Sequence, residues 1–500
     1  MATPARARLT LDPTARVGPV RRRTFGSFVE HLGRCVYTGV FEPDHPTADA
    51  DGFRADVLAL VREQGVSVVR YPGGNFVSGY RWEDGVGPVE QRPTRLDLAW
   101  HSTEPNTFGL DEFAKWCAKA GVEPMMAVNL GTRGIQEALD LLEYANIRSG
   151  TTLSDRRVAH GAKEPYDIRM WCLGNEMDGP WQVGHTTAAE YGRLAAQTAR
   201  AMRMVDPRLE LVACGSSGRG MPTFGAWEAT VLEEAYDEVD LISCHAYYEE
   251  KEGDLQSFLA SAEDMEQFIG AVAATADAVR ARKRSAKRVD ISFDEWNVWY
   301  MKRFHDQGAP ADWPVAPPLL EDHYNVADAV VVGSLLITLL RNTDRVAAAC
   351  QAQLVNVIAP IVTEPGGRAW RQTTFHPFAQ ASRHAVGDVL RTAVESPTVE
   401  TAEFGAVPML HAVATHSPAD GRMTVFAVNR SVDTPLAVEL PHVPVERLDV
   451  STLSDADPYA RNTADDPDRV RPRPSQDWTV DGDTVRVVLP PLSWNVIRLG

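Results

Sequence analysis

One alternation of texture constrains this chain more than any other feature. Between about residue 24 and residue 360, short apolar runs rich in Val, Ile, Met or Cys recur eight times: 24–30, 66–72, 123–130, 168–176, 209–217, 241–248, 288–296 and 347–355. Amphipathic stretches of helical length lie between most of them, at 51–64, 107–120, 134–147, 186–205, 254–284 and 323–342. Near-continuous apolar strands covered by helices form parallel sheets, because helices on the outside bury the strands on both faces. Eight such units indicate a closed α/β barrel, the (β/α)8 TIM barrel, over an open doubly wound sheet. No glycine fingerprint for a dinucleotide opens any of the helical stretches, which weakens the open-sheet alternative further.

Near residue 390 the texture changes. The runs 423–431, 436–441, 446–454 and 484–499 read as strands, separated by Pro, Asp, Asn and Gly turns, with no strong helix among them. This segment is expected to be an all-β, jelly-roll-like sandwich. The polar, Pro/Asp-rich stretch 455–480 reads as one long loop, and the strand-like ARLTLD near the N-terminus is expected to join the sandwich. The expected division is 1–20 with the sandwich, 21–385 as barrel and 386–500 as sandwich.

A formal charge of 50 − 68 = −18 argues against a nucleic-acid backbone or an anionic membrane surface as partner. No stretch of ~18 apolar residues is present, so no transmembrane helix is expected. The Arg-rich start lacks an apolar h-region, and a cytoplasmic location without a secretory signal is expected. The six cysteines are far apart and form no CxxC pair, so they read as reduced thiols.

Barrel chemistry collects where strands end. Those ends offer Glu30, Arg70, Asn75, Asn129, Asn175, Glu176, His245, Tyr247, Glu295 and Gln353. HxH, HExxH, GxSxG and P-loop patterns are absent, so no metal and no cofactor is expected. Glu176 ends the fourth run and Glu295 ends the seventh, on roughly opposite walls of an eight-stranded barrel. Two carboxyls converging on one bond suit glycoside hydrolysis, one as acid and one as nucleophile. Taken alone, each reads as well as a surface or ion-paired residue, and His245 as a hydrogen-bonded core residue. Strand alternation places Asp294 outward if Glu295 points inward. Two long loops, 73–106 and 297–323, carry Trp82, Trp100, Trp299 and Trp313 and are expected over the site.

The segments FGSFVEHLGRCVYTGVFEP (25–43), RYPGGNFVSGYRWEDGVGP (70–88), WCLGNEMDGPWQVGH (171–185), FDEWNVWY (293–300) and AQLVNVIAPI (352–361) resemble the α-L-arabinofuranosidases of glycoside hydrolase family 51. The resemblance runs along nearly the whole chain and implies an exo-acting, retaining enzyme on arabinofuranosyl oligosaccharides, assembled as a homo-oligomer, often a hexamer. It implies Glu176 as acid/base and Glu295 as nucleophile. Glu30, Arg70, Asn75, Asn175, Tyr247, Gln353 and Trp299 would line the sugar pocket, with Trp100 and Trp181 beyond the cleaved bond. The rival readings are another retaining glycosidase of the same clan, a β-xylosidase or endoglucanase, and a non-catalytic carbohydrate-binding protein or scaffold.

Overall fold

The computed structural model describes residues 4–251, 253–443 and 445–500. Residues 1–3 of the expected N-terminal segment lie outside them. Eight parallel strands close a barrel in sequential order: Gly26–Phe28, Val68–Tyr71, Glu123–Val128, Met170–Leu173, Glu210–Ala213, Leu241–Tyr248, Asp290–Val298 and Val346–Gln351. They are numbered here as barrel strands 1 to 8. Each falls on one of the eight apolar runs. Closure is made where Cys350 and Gln351 pair with Gly26 and Ser27. The lower barrel is filled by Val68, Met125, Ala127, Met170, Cys172, Val212, Leu241, Ala348 and Cys350, so it is a packed core and not a channel.

All six expected helical stretches are helical, with 254–284 broken into Leu255–Leu259 and Ala262–Lys283. Four further helices were not expected: Thr152–Ala159, Ala226–Ala235, Met301–Gln307 and Phe375–His384. All are ten residues or shorter, too short for a periodic signal to stand out.

The C-terminal part is two stacked sheets. A seven-stranded sheet is built on Leu410–His416, Met423–Asn429 and Ser493–Leu499, and a five-stranded sheet on Leu436–Leu440 and Thr484–Leu489. Leu9, Leu390, Val425, Leu436, Val438 and Ile497 pack between them. Ala5–Thr10 enters the five-stranded sheet, parallel to Leu436–Leu440 and antiparallel to Ala393–Glu395. The stretch 455–480 departs from the expected loop: Arg473–Pro474 and Trp478–Asp481 add short strands at the sheet edges. Their polar, Pro-containing sequence is what edge strands carry, and it hides the period-two signal.

The helix Val326–Arg341 joins the two parts. It is apolar on every side, with all but its last residue buried, as a helix between two layers must be. Gly333 lets it sit on the sandwich: a Cβ there would lie 2.4 Å from the Trp494 ring. Its first turn is closed reciprocally, Asp328 N–H donating to the Asn325 side chain and Asn325 N–H to the Asp328 carboxylate. No helix among the described residues is long and apolar enough to cross a membrane.

Candidate active site

The upper ends of the strands converge on a cavity of ≈ 350 Å³ whose walls include Glu30, Asn75, Trp100, Glu176, Trp181, Tyr247, Glu295, Trp299 and Gln353. Both long loops roof it. The first folds partly as the hairpin Arg95–Asp97/Ser102–Glu104. The second carries the helix Met301–Gln307, so it is not the plain loop its length suggests. They are tied together: Thr103 N–H donates to Pro314 O at 3.0 Å and Thr103 Oγ1 to Trp313 O at 2.6 Å. Glu104 anchors the hairpin from below, 2.9 Å from His31 Nδ1. The joined loops make the site a pocket, a shape that takes a chain end.

Glu295 stands on strand 7 and receives two hydrogen bonds. Arg70 Nη1 donates to Oε1 at 2.7 Å, and the Tyr247 hydroxyl donates to Oε2 at 2.7 Å. Arg70 Nη2 donates to Asn175 Oδ1 at 2.8 Å, which turns the Asn175 amide N–H toward Asn75 Oδ1 at 3.2 Å. Glu176 follows strand 4 after Gly174, with φ +43°, a left-handed conformation that costs an L-residue about 1 kcal/mol or more. Trp181 Nε1 donates to its Oε2 at 2.8 Å, and His245 Nδ1 lies 2.8 Å from its Oε1. Carboxylate oxygens of Glu176 and Glu295 lie within 4.8 Å of each other.

Glu30 accepts from three donors: Phe76 N–H and Trp100 Nε1 at 2.9 Å each, and Gln353 Nε2 at 2.8 Å. Gly74 lets the chain pass over this carboxylate, since a Cβ there would lie 2.6 Å from Glu30 Oε2. Burial without a paired cation pushes the Glu30 carboxyl up to about 8, against the pull of its donors. Burial and the charge of Glu176 raise the Glu295 carboxyl as well, opposed by His245, Arg70 and Tyr247. His245 is pushed up to about 10: burial lowers it, but Glu295, Asp294 and Glu176 outweigh burial.

The nine sequence-nominated residues thus gather in one place. Trp299 packs edge-on against Tyr247 at 5.1 Å, and Trp100 against Phe304 at 6.3 Å. Asn129, among the strand-end residues, stays outside the pocket wall and pins its own loop through Tyr80 O and Thr132 Oγ1. Trp82 packs on Tyr144 in the core.

A further expectation is overturned at the site itself. Asp294 does not point outward; it is fully buried and bonded to His245 Nε2 at 3.0 Å and Ser292 Oγ at 3.1 Å. The reason is a β-bulge. Ser243 and His245 pair with Ser292 and Glu295, and Ala349 and Gln351 with Phe293 and Trp296, so strand 7 holds one extra residue against both neighbours. A bulge of this kind turns two consecutive side chains to the same face. Sequence reasoning missed it because strict alternation was assumed, and with it missed how much His245 touches.

Two carboxyls this close, one held by a guanidinium and a phenol and the other by an indole and an imidazole, on the rim of an eight-stranded barrel, define a glycoside hydrolase. A family model described as the α-L-arabinofuranosidase 1 domain matches residues 60–280, and one described as the α-L-arabinofuranosidase C-terminal domain matches 294–493. An intracellular exo-α-(1→5)-L-arabinofuranosidase of Streptomyces lividans is 63% identical over 98% of this chain and 75% of its own. An exo-α-(1→6)-L-arabinofuranosidase of Bifidobacterium longum is 56% identical over 99% of this chain and 97% of its own. Among solved structures, a family 51 α-L-arabinofuranosidase from Bifidobacterium longum superposes with TM-score 0.95 at 52% identity, covering all of both chains. The chain belongs to the α-L-arabinofuranosidases of glycoside hydrolase family 51.

Proposed function

We propose that this exo-acting α-L-arabinofuranosidase removes terminal non-reducing α-L-arabinofuranosyl residues from oligosaccharides by double displacement, with Glu295 as nucleophile and Glu176 as acid/base. The observation that carries the assignment is the short gap between the two carboxyls combined with their unlike partners. A gap of roughly 5 Å leaves no room for a water between carboxylate and sugar, so one carboxylate attacks directly. Arg70 and Tyr247 hold Glu295 in place for attack on the anomeric carbon. Glu176 gives its proton to the departing glycosidic oxygen, then takes one from the water that opens the arabinosyl-enzyme ester, with net retention. Asn175, oriented by Arg70, is placed to bond the sugar 2-hydroxyl; Glu30, Asn75, Gln353 and Trp299 complete the pocket.

Glu176→Ala tests the roles. Arabino-oligosaccharides leave as poor alkoxides and need the proton, so kcat/KM on them should fall about 10³-fold. A 4-nitrophenyl arabinofuranoside should lose far less in its first step, and azide, an anion that needs no general base, should restore turnover by attacking the arabinosyl-enzyme. Equal losses on both substrates without azide rescue would remove Glu176 from the role.

A panel of 4-nitrophenyl glycosides tests the substrate class. The α-L-arabinofuranoside should be hydrolysed fastest; faster turnover of the β-D-xylopyranoside, β-D-glucopyranoside or α-L-arabinopyranoside would overturn the assignment of Glu30, Asn75 and Gln353. The same proposal assigns the chemistry to residues 21–385 and a structural role to the sandwich, 386–500 with 1–20. It places the protein inside the cell, as the name of the Streptomyces relative does for that protein. It takes the 54.9 kDa chain as a subunit of a homo-oligomer, a hexamer by family resemblance, with a mass that light scattering reads directly.

A further inference from the structure

Asp294 is the residue the site does not need for the two displacements, yet it is buried at their centre. Its carboxylate meets His245 Nε2 at 3.0 Å, Ser292 Oγ at 3.1 Å and Cys172 Sγ at 3.7 Å, and Arg70 Nε stands 4.0 Å away without a hydrogen-bond partner of its own. The other ring nitrogen of His245 meets Glu176 Oε1 at 2.8 Å. A continuous line therefore runs from Asp294 through the imidazole to the acid/base carboxyl, and it exists because the strand 7 bulge turns Asp294 inward.

We propose that Asp294 is a positioning residue that fixes the His245 tautomer, with the proton always on Nε2, so that Nδ1 and Glu176 share the one proton that the acid/base step moves. The proposal rests on the assignment of Glu176 made above. An ionised carboxylate can only accept, so the nitrogen facing Asp294 must carry hydrogen. Burial pushes the Asp294 carboxyl up, but Arg70, with His245 and Ser292, holds it below its ordinary value. Nδ1 is then the only imidazole position whose proton can change. With the proton on Glu176, Nδ1 accepts and the acid is ready for the leaving oxygen. That proton departs with the glycosidic oxygen, so in the arabinosyl-enzyme Glu176 is ionised and Nδ1 is bare, and the proton taken from water in the second step refills the pair. The pair holds one proton before the first step, none in the intermediate and one again at the end, so none is consumed over the cycle.

The charged groups facing the imidazole are Glu176 and Asp178 from the loop after strand 4, Asp294 and Glu295 from strand 7, and Arg70 from strand 2; Tyr247 lies on its own strand. Burial pushes the Asp178 carboxyl up to about 6. Removing the Asp294 charge lowers the affinity of the Glu176–His245 pair for its shared proton, so the pair loses it at lower pH.

The test is Asp294→Asn, which keeps the shape and an acceptor for Nε2–H but not the charge. The basic limb of the kcat/KM profile should move down by about one pH unit or more. At its new optimum the variant should lose about tenfold more on an arabinofuranosyl disaccharide than on the 4-nitrophenyl glycoside, because only the former needs the proton. A basic limb that stays in place, with equal losses on both substrates, overturns the proposal. Neutron diffraction on wild-type crystals reads the proton without a variant: deuterium on His245 Nε2 and none on Asp294 supports it, and the reverse overturns it. If azide rescues Glu176→Ala but the Asp294→Asn limb does not move, only this inference fails; if azide does not rescue, the underlying assignment fails first.

Discussion

Glu295→Gln is expected to lower kcat/KM by about 10⁴-fold or more, a loss of roughly 5.4 kcal/mol of transition-state stabilisation. An amide cannot form the ester intermediate, so the route is removed and not merely slowed. The loss should be the same on 4-nitrophenyl arabinofuranoside and on an arabinofuranosyl disaccharide, in contrast to Glu176→Ala, because the missing group acts on the sugar and not on the leaving oxygen. Stability should move the other way. The folded-state pKa of Glu295 lies above its ordinary value, chiefly through burial, so its ionised form is disfavoured by folding. The charge therefore costs stability above the unfolded-state pKa, and a neutral isostere removes that cost. Thermal unfolding at pH 7 should give a Tm no lower than wild type. Activity within tenfold of wild type in a well-folded Glu295→Gln protein would take the nucleophile role from this residue.

The barrel was legible because its signal is repeated. Eight apolar runs, each holding a strand of three to nine residues in the structure, cannot all be misread in the same direction. Glu176, Glu295, Arg70 and Tyr247 were legible because strand ends on this fold face one point, and the segments around them resemble family 51. What the sequence hid is local and geometric. The bulge in ISFDEW leaves no residue-type signature, since neither Gly nor Pro marks it. Strict alternation accordingly faces Asp294 outward and leaves His245 an ordinary core residue. The bonds from Trp181 to Glu176 and from Trp100 to Glu30 come from loop conformation, which no periodicity encodes. The edge strands in 455–480 failed for the opposite reason: their polar composition is how an edge is protected, and it imitates a loop.

Arg70→Met is the second change with a large expected effect, and it acts on stability and chemistry together. Arg70 is 1% exposed, bonds Glu295 and Asn175, and stands beside Asp294. Without it, two buried carboxyls lose their cation. Removing one partner of a buried ion pair costs about 3–5 kcal/mol, because the remaining charge has neither water nor partner. The pH dependence has a definite sign. Burial pushes Asp294 up and Arg70 is foremost among the groups that pull it below its ordinary value, so this pairing stabilises at neutral pH and is lost as pH falls through the depressed pKa. In Arg70→Met that contribution is gone at every pH, and the stability gap from wild type should be widest near neutrality and narrow in acid. Glu295 should hold its proton to higher pH, moving the acidic limb of kcat/KM upward, and kcat should fall about 10³-fold as the nucleophile protonates and Asn175 loses its orientation. Arg70→Lys separates charge from shape. It keeps the cation but cannot bond Glu295 and Asn175 at once from two fixed nitrogens, so it should recover much of the stability and little of the rate. Should Arg70→Met unfold like wild type and keep its acidic limb, the guanidinium would not be what holds Glu295 ionised. A hydrophobic side chain of similar volume could fill this position in a barrel selected for stability alone; on the proposed mechanism, the cost of burying a charge here is explained by the carboxylate that has to stay ionised beside it.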